Sequence, residues 1–185
     1  MNRDNLGGYQ KGPSGGDNVL QSIIFSSGSS SVAPSIFGTP AYWQGTNSIY
    51  VNANGNHLQA FSLIVPPVGT PQLSGVVSQS AETFSFFGGS PAISSNGSTS
   101  GTGVVWFIDA SGYGAAGAVP TPAILRAYDA GNLAHSVTPS KELYDSSDVP
   151  GDAAGAAVKF TVPTVANGKV YVGTQTELSV YGLLP

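Results

Sequence analysis

The residue types that most often carry enzyme chemistry are sparse in this sequence. There is no cysteine, which excludes disulfides, thiolate metal sites, iron–sulfur clusters and cysteine nucleophiles. The two histidines, His57 and His135, are far apart. His57 follows a turn and His135 lies in a Gly-containing stretch with no acidic neighbour. We therefore predict no catalytic residue and no resident metal ion.

Four aspartates leave two interpretations open. Asp129 ends an apolar stretch, and Asp145, Asp148 and Asp152 follow one another within eight residues. Such a group could bind a cation, but it lacks the alternating acidic spacing, the glycine and the closing glutamate of an EF-hand loop. The favoured interpretation is that these carboxylates accept hydrogen bonds from the backbone of turns.

Aromatic residues are the best candidates for contact with a ligand. Tyr42 and Trp43 are adjacent on a short predicted strand, and Trp106 precedes a Gly-rich insertion. Exposed rings of this kind stack on flat or sugar-like ligands. The alternative is that rings at alternate strand positions fill the layers between sheets. Tyr42, Trp43 and Trp106 are the predicted ligand-binding residues.

The composition limits the class of partner. Charged residues make up 9% of the 185 residues, against roughly 25% in typical soluble domains, and the net charge is −4. This balance disfavours nucleic acid binding, and no apolar run is long enough for a membrane span. The polar, lysine-poor composition indicates an extracytoplasmic (periplasmic or secreted) protein, although the N-terminal residues do not resemble a signal peptide.

Short apolar runs between turn signals predict antiparallel strands throughout the chain. Asn54-Gly55, between two such runs, is a strong hairpin signal. The runs repeat in three units. Each unit has a Pro-led strand, a strand with an apolar and aromatic core, and a strand that contains Leu, then a small or branched residue, then an aromatic residue. The last of these strands contain Leu58–Phe61, Leu125–Tyr128 and Leu178–Tyr181.

We label the strands of a unit A to D, and the order along the chain is then D, ABCD, ABCD, ABC. Four strands in a repeat of roughly 40–50 residues are typical of a β-propeller. The prediction is an all-β chain of about three four-stranded antiparallel blades, a partial or half propeller. Residues 1–185 form one propeller-type domain, with a D strand within 1–30, a blade at 31–87, a blade at 88–155 with an insertion at 110–122, and strands A to C at 156–185.

Three stretches carry a family resemblance. The segment from Phe160 to Pro185, the motif Leu125–Asp129 followed by Glu142–Ser146, and the stretch Asn2–Tyr9 resemble the C-terminal blades of bacterial pyrroloquinoline quinone-like (quinoprotein-like) β-propeller repeat proteins. Tyr144 stands where that family's blade motif has tryptophan. The resemblance implies the fold. It implies PQQ and calcium only for a full-length relative, so no cofactor is expected for this chain.

Three blades are fewer than the roughly four to eight that close a ring. Unpaired strand edges at both ends would template further pairing. We expect the edge at Asn18, Leu20 and Ile23 of one molecule to meet the edge at Leu178, Val180 and Leu183 of another. The expected partner is the chain itself, as a homo-oligomer, or the upstream blades of a longer chain.

These observations favour a non-catalytic, exported β-propeller binding or assembly module. Two alternatives remain open at this point. One is a fragment of a PQQ-dependent dehydrogenase-like quinoprotein, which would make the parent protein an oxidoreductase. The other is a self-assembling structural surface protein, because open propeller edges also allow head-to-tail addition.

Overall fold

A computed structural model of the chain describes residues 19–25, 35–85, 87–114, 118–131 and 142–182. The regular structure of this part consists of strands and one short 3-10 turn at Ser111–Tyr113. The all-β prediction is therefore confirmed. The strands are β1 (Ala41–Trp43), β2 (Ser48–Asn52), β3 (Asn56–Ile64), β4 (Gln72–Phe84), β5 (Ala92–Ser94), β6 (Val104–Asp109), β7 (Ile124–Asp129), β8 (Glu142–Asp145), β9 (Thr164–Ala166), β10 (Lys169–Gly173) and β11 (Leu178–Gly182).

The strands form three open antiparallel sheets that follow the predicted units. The first sheet has the order β1-β2-β3-β4, the second β5-β6-β7-β8, and the third β9-β10-β11. Each strand pairs with its neighbour in sequence, so every unit is a meander. Within the described residues the three sheets are open and do not close into a ring.

Asn-Gly turns set the register of two hairpins. Asn167 and Gly168 join β9 to β10 with φ of 50° and 70°. Two consecutive positive φ values define the turn that matches the twist of an antiparallel pair, and asparagine and glycine adopt them at least cost. Gly55, with φ of 69°, lies in the turn that the sequence predicted between β2 and β3.

The sheets stack face to face with a core between each pair. Side chains of β2 and β3 meet those of β6 and β7 in the first core, where the rings of Phe84 and Phe107 lie 4.4 Å apart. The opposite face of the second sheet, including Ile108 and Leu125, meets Val170 and Val172 of the third sheet in the second core. The second sheet is thus buried on both faces, and among the described residues no sheet packs against the outward faces of the first and third sheets.

The first strands of the three units lie next to one another. β5 contacts β1 on one side and β9 on the other. The segments that precede these strands are therefore brought together as well, although they are far apart in the chain.

The strand expected over Asn18–Phe25 is not formed in the described residues 19–25, which are irregular. This stretch lies against the first sheet and does not pair with β11. The side-chain amide of Gln21 donates to the carbonyl oxygen of Leu73 (3.0 Å) and accepts from its N–H (2.6 Å). The ring of Phe25 meets Phe61 edge to face at 5.8 Å. Residues 19–25 thus cover apolar side chains of the first sheet and do not form a strand that pairs with the third sheet. Asn18 lies outside the described residues.

Candidate functional site

The structure places two of the predicted ligand-binding residues, Tyr42 and Trp43, in different surroundings. Tyr42 and Trp43 are neighbours on β1, so their side chains point to opposite faces. Tyr42 is 50% exposed and its hydroxyl donates to Asn47 Oδ1 (2.9 Å). Trp43 is 4% exposed in the first core, and its indole N–H donates to the carbonyl oxygen of Gly97 (3.0 Å). The Trp43 ring is therefore packed within the first core, and its predicted role in ligand binding stays a prediction.

Trp106 is likewise part of the packing between sheets. Its ring packs against the second core, and its N–H donates to Ser94 Oγ (2.8 Å). Of the three predicted ligand-binding residues, only Tyr42 keeps a largely exposed ring.

The aspartates act mainly at turns, as the favoured interpretation had it. Asp129 Oδ1 accepts from the N–H of Gly131 (2.9 Å), and Asp145 Oδ1 accepts from the N–H of Ser147 (2.7 Å). The carboxylate of Asp152 accepts from the Tyr144 hydroxyl. Within the described residues no group of three or more His, Cys, Asp or Glu side chains is arranged to hold a metal ion.

A charged cluster that the sequence did not reveal is centred on Arg126. Its Nη1 lies 2.7 Å from Glu142 Oε1 and 2.6 Å from Asp145 Oδ2, and its Nε lies 3.7 Å from Asp109 Oδ2. The register of β6, β7 and β8 places these side chains on one face of the second sheet. Arg126 is largely buried, so the carboxylates compensate a charge that would be costly without them.

The same face is tied to the first sheet by a further carboxylate. Glu82, on β4, accepts a hydrogen bond from the Tyr128 hydroxyl (3.0 Å). Burial raises the pKa of Tyr128 well above its usual range, and the charge of Glu82 adds to this. Burial also raises the pKa of Glu142, although the hydrogen bond and charge of Arg126 act in the opposite direction. The cluster is best explained as a polar link between two sheets.

A second unforeseen group, here called the aromatic cluster, consists of Phe37, Phe87, Tyr113 and Phe160. Phe37, Phe87 and Phe160 precede β1, β5 and β9, so each repeat contributes one ring. Their centroids are 5.9 Å apart for Phe37 and Phe87, 5.4 Å for Phe87 and Phe160, and 6.1 Å for Phe37 and Phe160. Tyr113 joins from the 3-10 turn, 5.8 Å from Phe87.

A cation lies within this cluster. Lys159 Nζ is 4.5 Å from the centroid of Phe87 and 4.7 Å from that of Tyr113. Phe37 is 44% exposed and Phe160 is 61% exposed, so much of both rings is in contact with water. A signal for the cluster was present in the sequence, since a phenylalanine stands three or four positions before the proline of each unit.

The predicted assembly residues divide between the two outward faces. Leu178 and Val180 are 63% and 50% exposed on the third sheet. Leu20 is exposed and Ile23 half-buried where residues 19–25 border an apolar groove of about 410 Å³ on the first sheet. Leu183 lies outside the described residues.

In the part of the chain that the structure describes, no helix is long and apolar enough to cross a membrane. No protein-family model matches the chain, and neither a curated protein nor a solved structure matches it.

Proposed function

We propose that this chain is a non-catalytic binding and assembly module, built as three consecutive blades of a β-propeller, whose third sheet receives a further sheet of the same kind. A single observation carries the proposal. Leu58 and Leu125 are 0% exposed, whereas the corresponding residue of the third unit, Leu178, is 63% exposed.

The correspondence between units rests on strand register. Tyr50 pairs with Ala60, Trp106 with Ala127, and Tyr171 with Val180. Tyr50 of the first unit faces the second sheet, and Trp106 of the second unit faces the third sheet. Ala60 and Ala127 are buried there, but Val180 is 50% exposed. The third sheet thus presents the face that its two predecessors bury.

The edge of the third sheet is open as well. β3 and β7 are each followed by a fourth strand, but no described strand pairs with the outer edge of β11. An unpaired edge beside an exposed apolar face favours association with another β-structure.

The outward face of the first sheet provides a complementary surface. Ile49 and Val51 on that face occupy the same strand positions as Val170 and Val172 of the third sheet. Val170 and Val172 pack against the second sheet. In this chain residues 19–25 lie against that face. We infer that the occupant is a second copy of the chain, whose third sheet packs on the first sheet and on residues 19–25 beside it, where Leu20 is exposed.

The neighbouring positions of β1, β5 and β9 support the propeller arrangement, because the first strands of propeller blades surround a common axis. Two copies would supply about six blades, within the range of about four to eight that closes a ring. A rotation that does not close would give a filament. The low charged fraction supports an extracytoplasmic location.

Light scattering over a range of protein concentrations, with the Val180→Lys variant, tests the assembly. We expect the unaltered chain to form a dimer or larger species, and V180K to be monomeric because a charge would be buried at the interface. The matched control is Val68→Lys at a loop valine that is 91% exposed. A monomeric unaltered chain at all concentrations, or equal effects of V180K and V68K, would contradict the proposal.

A further inference from the structure

We propose that the aromatic cluster, together with Lys159, binds a small organic anion with a flat apolar body, such as an aromatic carboxylate. The flat body would lie against Phe37 and Phe160, and the anionic group would pair with the Lys159 ammonium. This inference is independent of the assembly proposal, because every residue of the site belongs to one chain.

The rings form a partly open surface. Phe37 and Phe87 meet at an interplanar angle of 79°, and Phe87 and Phe160 meet at 61°. Rings in such edge-to-face contact do not cover one another fully, which agrees with the large exposed fractions of Phe37 and Phe160. An aromatic ligand would add a further edge-to-face contact with Phe37 or Phe160.

The backbone of Phe160 is strained where its ring is exposed. Its φ is 62°, a conformation in which a bulky residue is a rare outlier and glycine is the least costly choice. A side chain that is 61% exposed gains little from burial in return. Residues with strained backbones cluster at functional sites, so the strained φ of Phe160 supports a role for its side chain in binding.

Lys159 supplies the charge that selects an anion. Its ammonium lies over two rings, and no carboxylate in the described residues forms an ion pair with it. A cation–π contact at a partly exposed site is weak, so the ammonium can turn towards an incoming carboxylate at small cost. One charged group among several apolar side chains is the usual composition of a small-molecule site.

Three probes separate the contributions of ring and charge. 2-Naphthoate has both, 2-naphthamide has the ring without the charge, and cyclohexanecarboxylate has the charge without the aromatic ring. We expect naphthoate to bind with a Kd on the order of a millimolar, as suits a ligand of this size. Each of the other two should bind roughly tenfold more weakly, as measured by calorimetry or by chemical-shift changes.

Two variants locate the site. Lys159→Met should weaken naphthoate binding roughly tenfold and leave naphthamide binding unchanged. Phe160→Gly should weaken binding of both, yet keep the unfolding midpoint within about 4 °C of the unaltered protein, because relief of the strained φ offsets the lost ring contacts. The exposed Lys169 on β10 provides the matched control, Lys169→Met.

The proposal is overturned if naphthoate and naphthamide bind equally well or not at all, or if K159M and K169M have the same effect. It is also overturned if F160G lowers the unfolding midpoint by more than about 4 °C, since the ring would then serve packing. Repeating the titration with the V180K variant distinguishes this result from the assembly. A monomer that still binds naphthoate supports the site whatever the state of association.

Discussion

At the scale of single residues, close packing decides more than residue type. Trp43 was a candidate for ligand binding, yet its ring fills the space that two glycines leave. A Cβ placed on Gly45 would lie 2.3 Å from the Trp43 ring, and one on Gly103 would lie 2.6 Å from it. The absence of two side chains, far apart in sequence, is therefore what allows the indole to be buried.

Gly103→Ala tests this packing directly. The added methyl group would overlap the Trp43 ring, so we expect the free energy of unfolding in urea to fall by about 1–3 kcal/mol. Gly75→Ala is the matched control, because nothing lies within 4 Å of a Cβ at that position. An equal effect of both substitutions would refute the packing role of Gly103.

Glu142 should make the stability of the folded protein depend on pH. Burial raises its pKa in the folded state, so folding favours the protonated carboxyl. Its contribution to stability is complete below the pKa of the unfolded chain and is lost as the pH rises through the folded pKa.

The pH test compares the Glu142→Gln variant with the unaltered protein. The variant does not titrate at this position, so its stability relative to the unaltered protein should rise as the pH increases above the ordinary glutamate pKa of about 4.3. The free energy of unfolding, measured for both proteins at each pH, gives this difference and cancels the titration of other groups. A difference that is constant or falls with pH would contradict the raised pKa.

At the scale of elements, residues 19–25 were predicted to form a strand but lie as an irregular segment against the first sheet. Residues 19–25 have the apolar character of a strand, but they cover the first sheet. Gln21 provides the polar attachment, since its side-chain amide binds the backbone of Leu73 as a neighbouring strand would.

Gln21→Ala should release the edge of β4 at this point. The N–H of Leu73 would lose its acceptor, and we expect its hydrogen exchange to become faster by about tenfold or more, in line with a lost hydrogen bond of about 1–1.5 kcal/mol. Gln44→Ala, at an exposed glutamine on the other side of the sheet, is the control. Unchanged exchange at Leu73 would mean that Gln21 does not hold the segment.

At the scale of the whole molecule, two features depend on how the three sheets stack. One is the outward face of the third sheet, which has the composition of a buried face and is exposed. The other is the aromatic cluster, which exists because β1, β5 and β9 lie side by side. The assembly and the anion site are proposed from these two features, and both depend on the order of the units.

Local patterns in the sequence were sufficient to predict most of the strands and their grouping into units. Alternating apolar residues and Asn-Gly turns are local signals, and both the hairpin turn at Gly55 and the meander order are present in the structure. Local signals act over a few residues, where backbone preferences and the two-residue period of a strand are sufficient.

Contacts between side chains of different sheets could not be predicted in this way, because they depend on how the whole chain packs. Arg126 and Asp109 are separated by a hairpin with an insertion, and Phe37 and Phe160 by most of the chain. Their contacts depend on which faces the sheets bury and on the close approach that glycines such as Gly103 permit. Contacts of this kind depend on packing between segments that are distant in the chain, and a single sequence carries no periodic signal for them.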